Sequence, residues 1–571
     1  MNRRDLIRLR PRREVYDAIV VGSGMTGGWA AKQLTEAGLR TLVLEAGPLI
    51  VPERDYAEHV PTYEMRFRGW GDRRALEERQ SIQRLCYACD EPAAKFFVDD
   101  LDNPYTHDDD KPFLYIRGRQ VGGRSIMWAR QSYRLSDIDF SANAKDGHGT
   151  DWPIRSADLS PWYDLVEEFV GVSGRAEGLE QLPDGRFLPP MELMCVEEQL
   201  GRAVAHGWGA SRKLTIGRAA VLTRDHNGRQ ACHYCGPCHR GCITRSYFSS
   251  LNATLPAAEA TGRMTLRPDS VVESVRWDPA TGRARGVRVI DRNSRDEIEF
   301  EGRVVFLAAS ALESARILLN SKSTDFPDGL ANSSGVLGHY LMDHTMGPGV
   351  RARFPGWESQ TYAGNRPNGF YIPRFRNVTE PTSGFLRGYG FQGGGSRVGW
   401  DRGESEPGFG AAFKRQMLDP GPWEMWMEGF GECLPRYGNH VELDPDVVDA
   451  WGVPVLRIHC AWSENEKAIV ADAQARAVEM LEAAGATDID VAHEINPPGL
   501  TIHEMGTARM GRDRKESVLN GFNQSWDVRN LFVVDGGAMA SSGCQNPSLT
   551  YMALTARACA YAVDAMNRNE L

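Results

Sequence analysis

The first clear pattern of apolar and polar positions lies near the N-terminal end of the chain. Residues 16–21 form a short, apolar run, and a glycine-rich turn, residues 22–27, follows at once. Beyond the turn, apolar residues recur at the spacing of one helix face until Gly38. Residues 40–44 form a second apolar run, which Glu45 closes. The pattern predicts a buried strand, a tight turn, a helix and a second buried strand.

Later stretches carry further strand and helix patterns. Residues 264–291 predict strands, and residues 304–307 predict another strand before a helix that begins with small residues. In residues 423–428, side chains alternate as they do in a strand with one buried face. Residues 439–457 predict two strands joined by a turn, and residues 464–483 predict an amphipathic helix.

Length and charge narrow the class of protein. The chain has 571 residues, too many for one ordinary hydrophobic core, so we expect two domains. Its net charge of −10 argues against nucleic acid as a partner. No apolar run reaches membrane-spanning length without charges, so we expect no transmembrane segment. Residues 1–18 hold an arginine pair but no apolar segment behind it, which predicts a basic arm and no signal peptide.

The glycine turn has the spacing of a dinucleotide-binding loop. Gly22, Gly24 and Gly27 follow the first strand and open the helix, and Glu45 ends the second strand, in the order that this fingerprint requires. The glycines let the backbone approach a pyrophosphate at the helix start, and the acid binds ribose hydroxyls. The loop does not separate FAD from NAD, because both carry the ADP moiety. A tight turn without a ligand is the alternative.

Three further features are each compatible with more than one role. Gly122 and Gly123 follow a charged turn and suit a close approach of the backbone to a ring system, although an ordinary loop pair is the alternative. His344 lies in a turn in which a structural histidine is favoured over a catalytic one. The pair Cys86 and Cys89 is compatible with redox chemistry, half of a metal site or two structural thiols, and we assign it no role.

Four cysteines are crowded into eleven residues. Cys232, Cys235, Cys238 and Cys242 have the spacing C-x2-C-x2-C-x3-C, which is the bacterial ferredoxin spacing for iron–sulfur ligation. Only the trailing proline of that pattern is absent, with Ile243 in its place. Zinc held by four thiolates is the main rival, and cysteines without a metal are the remaining alternative. The sequence therefore predicts a metal centre, favouring a 4Fe–4S or 3Fe–4S cluster.

The last stretch of the chain, residues 499–571, carries the candidate catalytic groups. His503 stands beside a glycine turn, and an apolar strand at residues 531–534 leads into Asp535 and Gly536. A histidine in such a turn is a candidate general base, with a structural histidine as the alternative.

A long apolar helix closes the chain. Asn546 suits its N-cap and Pro547 its first position, where the missing N–H costs nothing. The positive end of that helix would stabilise a nearby anion, such as a reduced flavin. The same segment therefore offers a base, a polar partner and a positive helix end.

Taken together, these motifs resemble those of the glucose–methanol–choline oxidoreductase family. The glycine loop at Gly22, the segment RQVGGRSIMW and the ending HEMGTARMG, VVDGGAM and CQNPSLT occur in the family's order and bracket nearly the whole chain. Within the family, the chain is most similar to bacterial sugar dehydrogenases, that is, gluconate 2-dehydrogenase large subunits and glucoside 3-dehydrogenase catalytic subunits. It is more distantly similar to pyranose 2-oxidase.

The resemblance implies FAD as the cofactor and His503 with Asn546 as the catalytic pair. Pyranose oxidases attach their flavin through a histidine, but Met127 stands at that position here, and a thioether does not form that link. We therefore expect non-covalent FAD. The expected cofactor-binding residues are Gly22, Gly24, Met25, Thr26, Gly27, Glu45, Ala46, Arg119, Gly122, Gly123, Ser125, Met127, Trp128, Val272, Ala308, Asp535, Gly536, Asn546 and Pro547.

The implied fold is α/β (α+β), with a Rossmann-like FAD-binding domain and a discontinuous substrate-binding domain on an antiparallel sheet. We expect the FAD-binding domain to comprise residues 1–50, 113–150, 215–345 and 500–571. The substrate-binding domain and loops would comprise residues 51–112, 151–214 and 346–499.

The resemblance also implies an activity and partners. We expect dehydrogenation of a secondary hydroxyl of a sugar or glycoside, with C3 of glucosides favoured, and electron transfer through the cluster to an acceptor such as a cytochrome c. A small helper subunit would bear the signal for co-export to the bacterial periplasm, and otherwise the protein would be cytoplasmic. The alternatives are a gluconate 2-dehydrogenase-like enzyme, a pyranose-oxidase-like oxidase, a non-redox flavin-containing lyase and a zinc-stabilised binding protein.

Overall fold

A seven-stranded sheet forms the centre of the first half of the fold. The computed structural model describes residues 15–61, 63–346, 349–404, 406–492 and 494–571; the predicted basic arm therefore lies largely outside the described residues. The strands follow the spatial order Met264–Arg267, Thr41–Leu44, Val15–Val21, Glu297–Leu307, Arg283–Asp291 and Ser270–Asp278, and Leu531–Val533 also pairs with Glu297–Leu307.

The strand Glu297–Leu307 belongs to two parts of this sheet. Its first half pairs antiparallel with Arg283–Asp291. Its second half lies parallel to both Val15–Val21 and Leu531–Val533. Because Val15–Val21 is almost wholly buried, its continuous apolar run is the signature of a parallel strand covered on both faces.

A second seven-stranded sheet is antiparallel. Its order is Thr487–Val491, Val350–Phe354, Trp423–Gly431, Tyr389–Arg397, Phe370–Ile372 and Thr215–Ile216, and Thr345–Met346 also pairs with Trp423–Gly431. In Trp423–Gly431, Trp423, Met425 and Met427 are buried. They belong to a hydrophobic cluster to which the helices Cys195–Trp208 and Glu464–Ala483 contribute. The opposite face of this sheet is directed towards the candidate active site described below.

Two small sheets and the helices complete the described fold. One small sheet contains His440–Val448, Pro454–His459 and Thr106–His107, and the other contains Val172–Ser173 and Phe187–Leu188. The α-helices are Met25–Glu36, Pro52–Asp55, Arg73–Arg79, Asp137–Phe140, Ala142–Asp146, Ser156–Val170, Cys195–Trp208, Thr254–Ala260, Ala311–Asn320, Gly410–Leu418, Glu464–Ala483 and Ser548–Asn567. In the described part of the chain, no helix combines the length and apolar character needed to cross a membrane.

The predicted fold class is confirmed. The strand, turn, helix and strand at the start of the described chain are present, and the helix Glu464–Ala483 has the predicted bounds. The domain boundaries stay a prediction. The strand Thr215–Ile216 pairs within the second sheet, although it falls at the start of a segment that was assigned to the FAD-binding domain.

Candidate active site

The glycine loop closes tightly against the strand beside it. Gly22 has φ = +97°, and its N–H donates to the Leu44 carbonyl at 2.7 Å. A Cβ on Gly22 would lie 2.4 Å from the Ala308 carbonyl oxygen, and one on Gly27 would lie 2.0 Å from the Gly22 carbonyl oxygen. Only glycine therefore fits at either position, because backbone atoms cannot move aside.

Gly24 differs from those two glycines, because the space in front of it is open. The nearest atom to a Cβ at Gly24 would be the Gly123 Cα, at 3.9 Å. Gly24 is also the residue that precedes the helix Met25–Glu36, whose first N–H groups have no partner within the helix. The loop thus offers an open approach to helix N–H groups, which fits the pyrophosphate of a dinucleotide.

Glu45 is held rigidly at the end of the second strand. Its carboxylate accepts hydrogen bonds from the Ser23 N–H at 3.1 Å, the Ser23 hydroxyl at 2.6 Å and the Gly47 N–H at 3.1 Å. Burial raises the pKa of this carboxyl, and the bonds from Ser23 and Gly47 act in the opposite direction. Its position beside the glycine loop fits the predicted contact with a ribose.

A cavity of about 400 Å³ collects most of the predicted site residues, a size typical of ligand pockets. The predicted residues that line it are Gly22, Gly24, Met25, Thr26, Glu45, Ala46, Arg119, Gly123, Ser125, Met127, Trp128, Val272, Ala308, His503, Asp535, Gly536, Asn546 and Pro547. Gly27, Gly122 and the four clustered cysteines do not line it. Gly27 supports the loop from within the helix, and the Gly122 N–H donates to the Ser23 hydroxyl at 3.1 Å.

Asp535 and Met127 have different surroundings within the cavity wall. Asp535 follows the strand Leu531–Val533, and its carboxylate accepts from the Gly537 N–H at 2.9 Å. Burial raises the pKa of Asp535 to about 6. Met127 is buried and lines the cavity, so no nucleophilic nitrogen stands at that position.

His503 and Asn546 meet inside the cavity. The Asn546 side-chain nitrogen lies 3.4 Å from His503 Nε2. The Asp343 carboxylate fixes the His503 segment, since it accepts from the backbone N–H groups of His503 at 3.0 Å and Gly499 at 2.7 Å. Burial lowers the pKa of His503 well below its usual range, and the nearby cationic forms of His344 and Arg124 lower it further. The imidazole is therefore neutral at neutral pH and able to accept a proton.

Two residues around this pair were missed as site residues from the sequence. His344 Nδ1 lies 2.9 Å from His503 Nδ1, and the Gln392 side chain donates to the Asn546 side-chain oxygen at 2.6 Å. Gln392 lies in a glycine-rich strand without any motif, so no local signal marks it. His344 follows Asp343 in a turn in which the sequence favoured a structural histidine over a catalytic one.

The start of the C-terminal helix differs by one residue from the prediction. The helix is Ser548–Asn567, so Pro547 occupies the N-cap position that was assigned to Asn546. The Pro547 carbonyl accepts the helical N–H of Tyr551 at 2.9 Å. The Asn546 side chain is bound by Gln392 and faces His503, so it is not free to cap the helix. The helix start nevertheless opens into the cavity, as Pro547 and Ser548 line it.

The four clustered cysteines do not line the cavity, and their loop packs on Asp90. The Asp90 carboxylate contacts His239 Nε2 at 2.9 Å and accepts from Arg240 Nε at 2.7 Å. All four thiols are half-buried and free of disulfides. Burial, followed by the charges of the other three cysteines, raises the pKa of Cys235 to about 11. Within the described residues, no three metal-binding side chains converge on a point suited to a metal ion. The metal centre stays a prediction.

A dinucleotide-type loop and a neutral, buried histidine in one cavity are typical of an oxidoreductase that uses a dinucleotide cofactor. Models of the GMC oxidoreductase family match residues 16–346 and 435–555. The chain belongs to the GMC oxidoreductase family, as predicted, and is therefore an oxidoreductase that acts on CH–OH groups. Family membership also supports FAD as its cofactor.

Individual relatives align with this chain over nearly their whole length. The chain is 30% identical to 2-methyl-1,2-propanediol dehydrogenase of Mycolicibacterium austroafricanum, over 95% of this chain and 94% of that protein. It is 25% identical to the fructose dehydrogenase large subunit of Gluconobacter japonicus, over 95% of this chain and 96% of that protein. Pyridoxine 4-oxidase from Mesorbium loti has a similar structure, with a TM-score of 0.61 at 17% identity, covering 95% of this chain and 98% of that one.

Proposed function

We propose that this protein is an FAD-dependent dehydrogenase that oxidises a secondary hydroxyl of a sugar or glycoside, with C3 of glucosides as the favoured position. The observation that carries the proposal is the meeting of His503 Nε2 and the Asn546 amide in the cavity that the glycine loop enters. A lone pair and an N–H donor directed at one place suit a substrate hydroxyl, which both donates and accepts a hydrogen bond.

In the proposed mechanism, neutral His503 removes the proton of the substrate hydroxyl through Nε2. Asn546 donates a hydrogen bond to the same oxygen and so fixes the direction of the adjacent C–H bond. Removal of the proton weakens that bond as the carbon becomes a carbonyl carbon. Bound FAD supplies the acceptor for the hydride that leaves this carbon. General base catalysis of this kind contributes typically about 10²–10⁴-fold to the rate.

Polar side chains support a polyhydroxylated substrate. Arg130, Gln131 and Gln392 line the cavity in addition to Asn546. Trp426 lies on the same sheet face as the cavity-lining Phe430, because the two are four residues apart in one strand, and its side chain is 43% exposed. An exposed indole face of this kind suits stacking on the C–H groups of a sugar ring. The similarity to a fructose dehydrogenase subunit agrees with this substrate class.

The four cysteines are the proposed ligands of an iron–sulfur cluster, 4Fe–4S or 3Fe–4S, with zinc as the rival. The donor set and spacing fit such a cluster, whereas the described positions of the thiols do not yet form a metal site. The mechanism above therefore uses no step through the cluster. A cytochrome c as acceptor, and a small helper subunit that would bring the protein to the periplasm, complete the proposal.

An anaerobic absorption spectrum of the purified protein tests the proposal. We expect flavin bands that methyl glucoside bleaches, and no bleaching by gluconate or by 2-methyl-1,2-propanediol at the same concentration. The diol is included in the experiment because a 30% identical relative is a dehydrogenase of that compound. Bleaching by the diol alone would reject a sugar as the substrate. A flavin that none of these alcohols bleaches would reject the proposed redox role of the flavin.

The same sample tests the cluster. We expect a broad absorption beneath the flavin bands, with iron and acid-labile sulfide in the protein. Both should be lost when Cys238 is replaced by serine, while the flavin stays. The replacement of Cys195, a half-buried thiol outside the cluster, is the matched control and should keep both. Flavin bands alone, or zinc in place of iron, would contradict the cluster.

The flavin should leave the protein on acid precipitation, because Met127 forms no bond to it. We expect all of the yellow chromophore in the supernatant after trichloroacetic acid treatment, with the mass of the denatured chain unchanged. A flavin that stays with the precipitate would show a covalent link and overturn the assignment.

A further inference from the structure

We infer that His344 sets the tautomer of His503, so that Nδ1 of His503 carries the hydrogen and Nε2 presents a lone pair to the substrate. This inference deepens the proposed function and rests on it. His344 touches neither the substrate nor the cofactor in this scheme, and it acts as a positioning residue.

The first argument comes from the contact between the two rings. The Nδ1 atoms of His344 and His503 lie 2.9 Å apart, and the rings meet edge to face at 81°. Two imidazole nitrogens at this distance share one hydrogen, so one Nδ1 is the donor and the other the acceptor. The contact therefore ties the tautomer of His503 to that of His344.

The second argument comes from the opposite side of His503. Gln392 donates to the Asn546 side-chain oxygen at 2.6 Å, which leaves the Asn546 NH₂ group directed at His503 Nε2. An amide NH₂ group only donates, so this contact, which is longer than the 2.9 Å contact with His344, favours the same tautomer with Nε2 as the acceptor. The hydrogen of neutral His503 is then on Nδ1, and His344 Nδ1 accepts it.

Asp343 does not take the place of His344. Its carboxylate accepts from the backbone of Gly499 and His503 and from the Thr501 hydroxyl, so it anchors the segment and not the imidazole. A carboxylate against Nδ1 would stabilise a positive imidazolium strongly. A neutral imidazole orients His503 without that charge, so the proton that His503 takes from the substrate is readily passed on.

The direct test is the tautomer in the resting, FAD-bound protein. Uniform ¹⁵N labelling of histidine, with His503 assigned by its loss in His503→Gln, should show a pyrrole-type nitrogen at Nδ1 and a pyridine-type nitrogen at Nε2. In His344→Phe, which keeps a buried ring but lacks an acceptor, the hydrogen should move to Nε2 or divide between the two nitrogens. The opposite tautomer in the unmodified protein, or no change in the variant, would overturn the inference.

The kinetic test compares two variants. His344→Phe should lower the rate of anaerobic flavin reduction by about 10²-fold, with unchanged substrate affinity and FAD content. His344→Asn, whose amide oxygen can accept from Nδ1, should regain at least tenfold of that loss. Equal losses in both variants together with lost FAD would indicate a merely structural residue and reject the assignment.

If His503→Ala leaves reduction intact, the proposed base fails, whereas the tautomer measured in the resting protein is independent of that outcome.

Discussion

His503→Ala will reduce flavin reduction by roughly three orders of magnitude while the protein still carries FAD. The imidazole is the group that takes the hydroxyl proton, and a general base contributes typically about 10²–10⁴-fold. The flavin should stay bound, because the glycine loop, Glu45 and Asp535 lie in parts of the wall that do not depend on the His503 side chain. Stopped-flow bleaching at saturating methyl glucoside, with the flavin absorbance per chain, measures both quantities.

His206→Ala is the matched control for this variant. His206 is exposed on the helix Cys195–Trp208 and does not line the cavity. The same chemical change there should leave reduction within twofold of the unmodified protein. Reduction at the normal rate in His503→Ala would remove the assigned base, and loss of FAD in that variant would show a structural role instead.

Gly27→Ala will give a protein that does not retain FAD and unfolds at lower temperature. A Cβ at this position would lie 2.0 Å from the Gly22 carbonyl oxygen, and the loop cannot yield without leaving its place against Ala308. Overpacking of a well-filled interior costs about 1–3 kcal/mol, and here the obstacle is backbone, so the upper part of that range applies. Flavin content after gel filtration and the thermal unfolding midpoint of the flavin-free chain check the result.

Gly24→Ala separates binding from folding. Its Cβ has no protein atom nearer than 3.9 Å and its φ is −69°, so the flavin-free chain should unfold at the same temperature as the unmodified one. The added methyl group points at the space where the pyrophosphate would lie, so FAD affinity should fall at least tenfold. Equal unfolding of the flavin-free Gly24→Ala and Gly27→Ala proteins would contradict this division of roles.

Local sequence patterns were sufficient to predict the glycine loop and its surroundings. The run of residues 16–21, the three glycines and Glu45 lie within one strand–helix–strand unit, so their spacing alone determines how they meet. His503 and Asn546 are 43 residues apart, and their pairing was predicted from a family resemblance rather than from any local rule. Both line the cavity, and their catalytic roles stay a prediction.

The supporting residues could not be predicted in the same way. His344 is 159 positions from His503, and Gln392 is 154 positions from Asn546. The second sheet and the turn after Leu341 bring them together, and their contacts depend on strand register that no short motif encodes. The one-residue error at Pro547 has a related cause, because a tertiary contact with Gln392 removed Asn546 from the capping role that its sequence position favours.

The cysteine loop shows a different limit of prediction from the sequence. Its spacing predicts ligation, and in general the ligands of a metal site reach their final positions together with the metal. The half-buried thiols and the bonds from His239 and Arg240 to Asp90 describe where this loop is attached, not how it would close around a cluster.

The position of Leu531–Val533 in the first sheet has a consequence for how the protein is made. This strand completes the sheet beside Val305–Leu307, yet the ribosome synthesises it roughly 200 residues later. At a synthesis rate of about 5–20 residues per second, the delay is about 10–40 s. During that time Val305–Leu307 has Val15–Val21 on one side and an open edge on the other. An open strand edge is a template for misassembly. We therefore expect a chain truncated before Asn530 to aggregate more readily than the 571-residue chain.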